Sequence, residues 1–216
     1  MRLLQSRTAA AGEEGFSLVE VVVALAVLGV VATSALGFFV RTLAADAALQ
    51  HRETAVALAA AAMEQVRVAD PAWGAAATTT SGTDQQQGLA AGRAKAAVEA
   101  AWTASSFPEK GLTVPAWDST ATGAPPVVPI TTGPTTVSDQ TFTTTVLVGT
   151  CGRPRGAASA ECTAAVTGSG VVLLQRVVVE VRWQAVAGAC PTGGCTYRTS
   201  ALVDPSADAT WLRGSS

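Results

Sequence analysis

The chain has 216 residues, with 14 basic side chains against 16 acidic ones and a formal net charge of −2. That length leaves room for one membrane helix and one modest domain, and the charge balance offers no basic field to hold nucleic acid. With one histidine in the whole chain, no Ser-His-Asp set, no HExxH and no phosphate-cradling glycine loop, nothing in it predicts an enzyme.

Residues 1–15 form a short polar leader, and residues 16–40 are apolar with one ionisable side chain, Glu20. At about 1.5 Å per residue a helix over 16–40 spans roughly 37 Å, enough to cross a bilayer. A carboxylate in such a segment costs about 2.5 to 3.5 kcal/mol at mid-membrane and somewhat less off-centre. It needs a counter-charge, and no basic residue within the segment supplies one. The partner comes from another molecule, from lipid, or from a new amino terminus. Cleavage after Gly15 would place the ammonium of Phe16 about one helical turn from Glu20.

The hexapeptide Gly15-Phe16-Ser17-Leu18-Val19-Glu20, after a polar leader and before an uninterrupted apolar run, closely resembles the signal of type IV prepilins and type II secretion pseudopilins. More loosely, residues 57–67 resemble the end of the long first helix of PilV-like and GspI-like minor pilins. Glu13 and Glu14 precede Gly15, where many family leaders carry basic residues. The resemblance implies an α+β, pilin-like fold in which one long helix packs on a small antiparallel sheet. It implies cleavage after Gly15 by prepilin peptidase, methylation of Phe16, and Glu20 as the assembly group. It implies as partners other pilins or pseudopilins in a hetero-oligomeric fibre, an inner-membrane assembly platform and the lipid bilayer. No cofactor and no metal are expected. The alternative is a membrane-anchored extracytoplasmic adhesin or binding protein that does not polymerise.

The helical period continues over residues 41–69, where Leu49, Val56 and Met63 recur every seven residues, with Ala45, Arg52, Ala59 and Val66 at the intermediate steps, as a narrow apolar stripe. His51 sits beside Arg52 and Glu53 and is expected on the solvated side. Asp70-Pro71 ends the helix, because the residue before proline is pushed out of helical geometry. The predicted helix over 16–69 is roughly 80 Å long. Gly29 and Gly37 lie in its apolar half, where each weakens it by about 1 kcal/mol relative to alanine. Two readings stay open for them: close helix packing in the membrane, or, as the resemblance implies, a segment that unwinds on entry into a filament.

Residues 70–140 form a variable connection. A helix is predicted over 89–104, with Ala94, Val98, Ala101 and Trp102 on one side and Arg93, Lys95 and Glu99 elsewhere. Pro108, Pro115, Pro125, Pro126, Pro129 and Pro134 then argue for extended chain without a long helix. The five tryptophans read as core and domain anchors more readily than as a sugar-binding surface.

From residue 141 to 216 the period becomes two, and strands are predicted over 141–148, 171–174, 176–185 and 196–203. Glu180 and Arg182 alternate with Val179, Val181 and Trp183, which predicts one buried face and one wet face. The four cysteines, Cys151, Cys162, Cys190 and Cys195, all lie here, and an even number at close spacing reads as disulfides in an oxidising compartment. That places this domain outside the cytoplasm and the leader inside, making a single-pass protein of the cytoplasmic membrane. Of three connectivities, the two local pairs are favoured because each spans a loop rich in Gly, Pro or Ala. Zinc fits the spacings poorly, and no histidine lies near.

Overall fold

A computed structural model describes residues 17–69, 88–121, 123, 125–155, 162–164, 170–184, 190 and 194–203. Helix α1 runs Leu18–Ala69, α2 runs Lys95–Ala104, and the strands are β1 Val114–Pro115, β2 Thr135–Val137, β3 Gln140–Pro154, β4 Val171–Trp183 and β5 Cys195–Val203. Two 3-10 turns, Gly88–Ala90 and Pro108–Leu112, flank α2. The expected α+β architecture, a long amino-terminal helix with a small antiparallel sheet, is the one observed. The chain divides into two compact units, Met1–Asp46 and Ala47–Ser216.

In the first unit the residues described are helical from Leu18 onward. The hydroxyls within this apolar stretch bond to their own helix: Thr33 Oγ1 donates to the Gly29 and Val30 carbonyls at 3.0 Å each, Ser34 Oγ to Val30 at 2.8 Å, and Thr42 Oγ1 to Phe38 at 3.0 Å. Such back-bonding leaves no hydroxyl without an acceptor where water is absent.

In the second unit the sheet order is β1-β3-β4-β5, with β2 also paired to β3, and every pairing is antiparallel. The β3–β4 ladder runs from Phe142↔Trp183 to Pro154↔Val171, so the predicted pieces 171–174 and 176–185 form a single strand that stops at Trp183. Val137 and Gln140 are joined by Ser138 and Asp139, both left-handed at φ 49° and 61°. That is the two-residue turn whose twist matches a right-handed hairpin.

One face of the sheet packs Phe142, Val146, Val148, Val177, Val179, Val181 and Trp183 against α1. The helix contributes Ala55, Ala59, Ala62 and Val66, at steps of four, three and four residues. Of the predicted stripe, Ala59 and Val66 are buried, and its other members are not. Leu49 is 58% exposed and Val56 40%, while Met63 packs only at the margin. Large side chains stand the helix off the sheet; methyl groups let it approach, and the alanine side wins the interior. His51 is half-buried, its ring 6.3 Å from that of Phe142 in an edge-on contact, and so is not the fully solvated residue expected.

The opposite face was expected to be wet and is largely covered. Trp102 and Phe107, in a T-shaped pair 5.2 Å apart, cap Leu147 and Val178. Glu180, on the same face, is only 2% exposed. It pairs with Arg182 and Arg198, and Arg182 also donates to the Ala104 carbonyl at the end of α2, at 2.7 Å. Gly149 makes the covering possible: a Cβ there would stand 2.5 Å from Thr113 Cγ2 and 2.8 Å from the Trp102 ring.

The predicted helix over 89–104 begins late, at Lys95. Gly92 adopts φ +74°, and a Cβ on it would lie 2.9 Å from Pro126 Cα, so the chain turns there against the proline segment. Arg93, expected away from the apolar side of that helix, is 1% exposed and donates to the carbonyls of Val128 and Val146. Burial lowers its guanidinium pKa to about 10, which still leaves it charged at neutral pH.

Candidate functional site

The sequence motif meets the described structure at its carboxy-terminal end. Gly15 and Phe16, the expected cleavage and methylation residues, lie outside the described residues. Ser17 accepts the amide of Val21 at 3.2 Å, and Leu18 begins α1. Glu20 then falls in the first turn of the helix, where four backbone N–H groups lack intrahelical acceptors and the helix dipole presents partial positive charge. That end favours a carboxylate over any other charged side chain. Among the described residues no cation lies within ion-pair distance of Glu20, and the side chains after it, Leu25, Leu28, Phe38 and Phe39 among them, are exposed. A negative group thus sits at the entry of an apolar helix long enough to cross a membrane.

Gly29 and Gly37 both lie within unbroken α1, and a Cβ added at either would meet nothing within 4 Å. Among the described residues nothing demands glycine at these two positions. Their backbone is helical here, with Gly29 accepting a hydroxyl bond from Thr33.

In the second unit Cys151 is bonded to Cys162 and Cys190 to Cys195, with Cα atoms 5.4 and 5.3 Å apart. The first bond lies beside a two-way backbone bridge between Gly152 and Thr163, at 2.7 and 3.0 Å. The second spans the approach to β5, whose Cys195 stands opposite Trp183. Among the described residues no group of His, Cys, Asp or Glu has the arrangement of a metal site.

A model of the prokaryotic N-terminal methylation motif matches residues 11–36. The chain carries a prepilin-type signal. The matched stretch takes in the Gly15-Phe16 junction, Glu20 and Gly29, and ends inside α1 just before Gly37. Together the prepilin-type signal and the one membrane-length apolar helix among the described residues support a membrane-anchored, single-pass protein. No curated protein and no solved structure matches the chain.

Sequence reasoning missed the charged residues that the second unit buries. Asp118 accepts the Gly92 amide at 2.8 Å, the Thr120 amide at 2.8 Å and the Thr120 hydroxyl at 2.6 Å, tying the turn before α2 to the chain after β1. Its Asp118-x-Thr120 spacing is the one signal in the sequence, an aspartate capping its own turn. Arg93 and Arg176 have no comparable local signature.

Proposed function

We propose that the chain is a minor pilin or pseudopilin: a bitopic precursor cut after Gly15 by prepilin peptidase, methylated on Phe16, and assembled with other pilins through the amino-terminal half of α1. Its work is structural, and no catalytic step is assigned to it. The observation that carries the reading is the prepilin-type signal set directly ahead of α1, with Glu20 in the first helical turn and no cation near it among the described residues. A carboxylate left alone in an apolar bundle is costly, and an ammonium at Phe16 of a neighbouring subunit offsets that cost while fixing the register between subunits. The empty surroundings of Gly29 and Gly37 support a role outside the single chain, in close approach to a neighbouring helix or in local unwinding.

Two disulfides support a second unit held in an oxidising compartment, with the leader on the cytoplasmic side. The assembly platform and fibre partners follow from the same reading. Intact-mass and amino-terminal analysis of protein purified from membranes tests it. A chain beginning at methylated Phe16 is expected, and Gly15→Val is expected to stay at full precursor mass. A retained leader in the unaltered protein would remove the proposal and leave a plain membrane anchor.

A further inference from the structure

On the sheet face turned away from α1, Arg176 of β4 stands in register between Gly149 of β3 and Leu202 of β5. It lines a pocket of about 450 Å³ together with Glu109 and Leu112 of the 3-10 turn, Cys162, and Ser200 and Leu202 of β5. Arg176 is 7% exposed, and its Nε is buried with no hydrogen-bond partner. Its Nη1 lies 3.7 Å from the Glu109 carboxylate, beyond hydrogen-bond reach.

Three other charged side chains are buried among the described residues of the unit, Arg93, Asp118 and Glu180. Arg93 also leaves its Nε unpartnered, but its terminal nitrogens donate to two carbonyls; Asp118 accepts three hydrogen bonds, and Glu180 is held by two arginines, whereas the terminal nitrogens of Arg176 have the Glu109 carboxylate at 3.7 Å. A guanidinium carries five donors in a planar fork suited to a carboxylate, and withdrawing it from water without acceptors is expensive. Leu112 and Leu202, each 41% exposed, flank it with apolar surface.

We infer that this pocket binds a carboxylate borne on a small apolar group. The terminal nitrogens of Arg176 hold the carboxylate, and Leu112 and Leu202 grip the apolar body. Glu109, half-exposed and held at 3.7 Å, is a loose internal stand-in that turns to solvent when the ligand arrives. The volume admits one residue-sized group. That chemistry has two sources: the free carboxyl end of a polypeptide partner, or a short branched-chain acid.

The test uses the full chain, 15N-labelled in detergent micelles, with the arginine Nε–Hε signals followed during titration. The probes are N-acetyl-alanyl-leucine, its carboxamide and isovalerate. The free acids are expected to move one arginine signal with saturation, and the carboxamide to bind about tenfold more weakly, the usual value of a charge-assisted hydrogen bond. Arg176→Lys should abolish that signal and weaken binding about tenfold, since lysine lacks the fork. Glu109→Gln should tighten binding about threefold, because it removes the competing carboxylate. That substitution lies at the pocket rim, so it keeps the proposal open to disproof even if Arg176→Lys fails to fold. Equal binding of acid and carboxamide, or unchanged or weaker binding by Glu109→Gln, would overturn the site. A peptide acid at least about tenfold tighter than isovalerate assigns a polypeptide end; comparable affinity assigns a free acid.

Discussion

Arg198 of β5 stands directly across from Glu180 of β4 and donates twice to its Oε2, from Nε at 3.1 Å and Nη2 at 2.7 Å. The carboxylate is 2% exposed, so its charge is tolerable only because Arg198 and Arg182 meet both oxygens. Arg198→Leu should lower stability by about 2 kcal/mol, or roughly 6 °C in Tm for a domain of this size. The double change Glu180→Val with Arg198→Val should recover part of that loss, because an apolar pair leaves no stranded charge. Thermal melts of both variants by circular dichroism decide it; a single variant as stable as the parent would show the pair to be ornamental.

Gly149→Ala tests the packing on the same face. The added methyl would stand 2.5 Å from Thr113 and 2.8 Å from Trp102, and both the threonine, bonded through its hydroxyl to the Glu109 carbonyl, and the indole are buried. A loss of about 1 to 3 kcal/mol is expected, the usual cost of overpacking. Tryptophan fluorescence should report the displaced Trp102. A neutral result would mean that α2 rides loosely over β3.

How much of this was legible in the sequence depends on the range of the interaction. The Gly15-to-Glu20 signal is a linear pattern, readable without a fold, and strands β3 and β4 announce themselves through their β-branched runs. Glu180 was misread because alternation with valine is the mark of a half-wet strand, whereas here the second face also carries buried apolar residues and the carboxylate is paired with Arg182 and Arg198. The alanine side of α1 was misread for a related reason: hydrophobicity ranks Leu49 above Ala55, whereas close approach to a sheet ranks them the other way. The late start of α2 at Lys95 rests on Gly92 meeting Pro126, a contact across 34 residues of sequence (126 − 92) that no local propensity encodes. Arg176 shares this limitation. Its pocket is assembled from residues of the 3-10 turn, β4, β5 and the neighbourhood of Cys162.

Asp118 provides a pH prediction. Burial pushes its carboxyl up, but the Thr120 hydroxyl and the Gly92 and Thr120 amides together hold it below the ordinary aspartate value. A depressed carboxyl stabilises the fold above its unfolded pKa of about 4, and that contribution disappears as pH falls through the lower folded value. Tm should therefore fall on acidification below about pH 4. Asp118→Asn should be less stable at neutral pH and show a shallower acid limb. Parallel acid limbs for the two proteins would remove Asp118 as a contributor.

Glu20→Ala separates a tolerated polar defect from a docking group. Loss of the carboxylate makes membrane insertion easier, so the variant should accumulate and be cleaved normally. If Glu20 meets the Phe16 ammonium of a neighbour, breaking that pair costs about 3 to 5 kcal/mol, and incorporation should fall by more than about a hundredfold. The measurement is the variant's share in sheared surface filaments, or its crosslinking to partner pilins where the fibre is short. Normal incorporation of a stable, cleaved variant would eliminate charge pairing as the mechanism.

The alanine side of α1 inverts the usual pattern of mutational tolerance. On most amphipathic helices the large apolar positions are the protected ones. Here Ala55, Ala59 and Ala62 are buried against the sheet, while Leu49 and Val56 stand 58% and 40% exposed among the described residues. Enlarging any of the three alanines would lever the helix off its sheet, whereas Leu49 and Val56 are free to drift unless a surface outside this polypeptide selects them. A deep mutational scan would therefore separate two kinds of constraint along one helix: intolerance at 55, 59 and 62 measures the fold, and any intolerance at 49 and 56 measures the company the protein keeps.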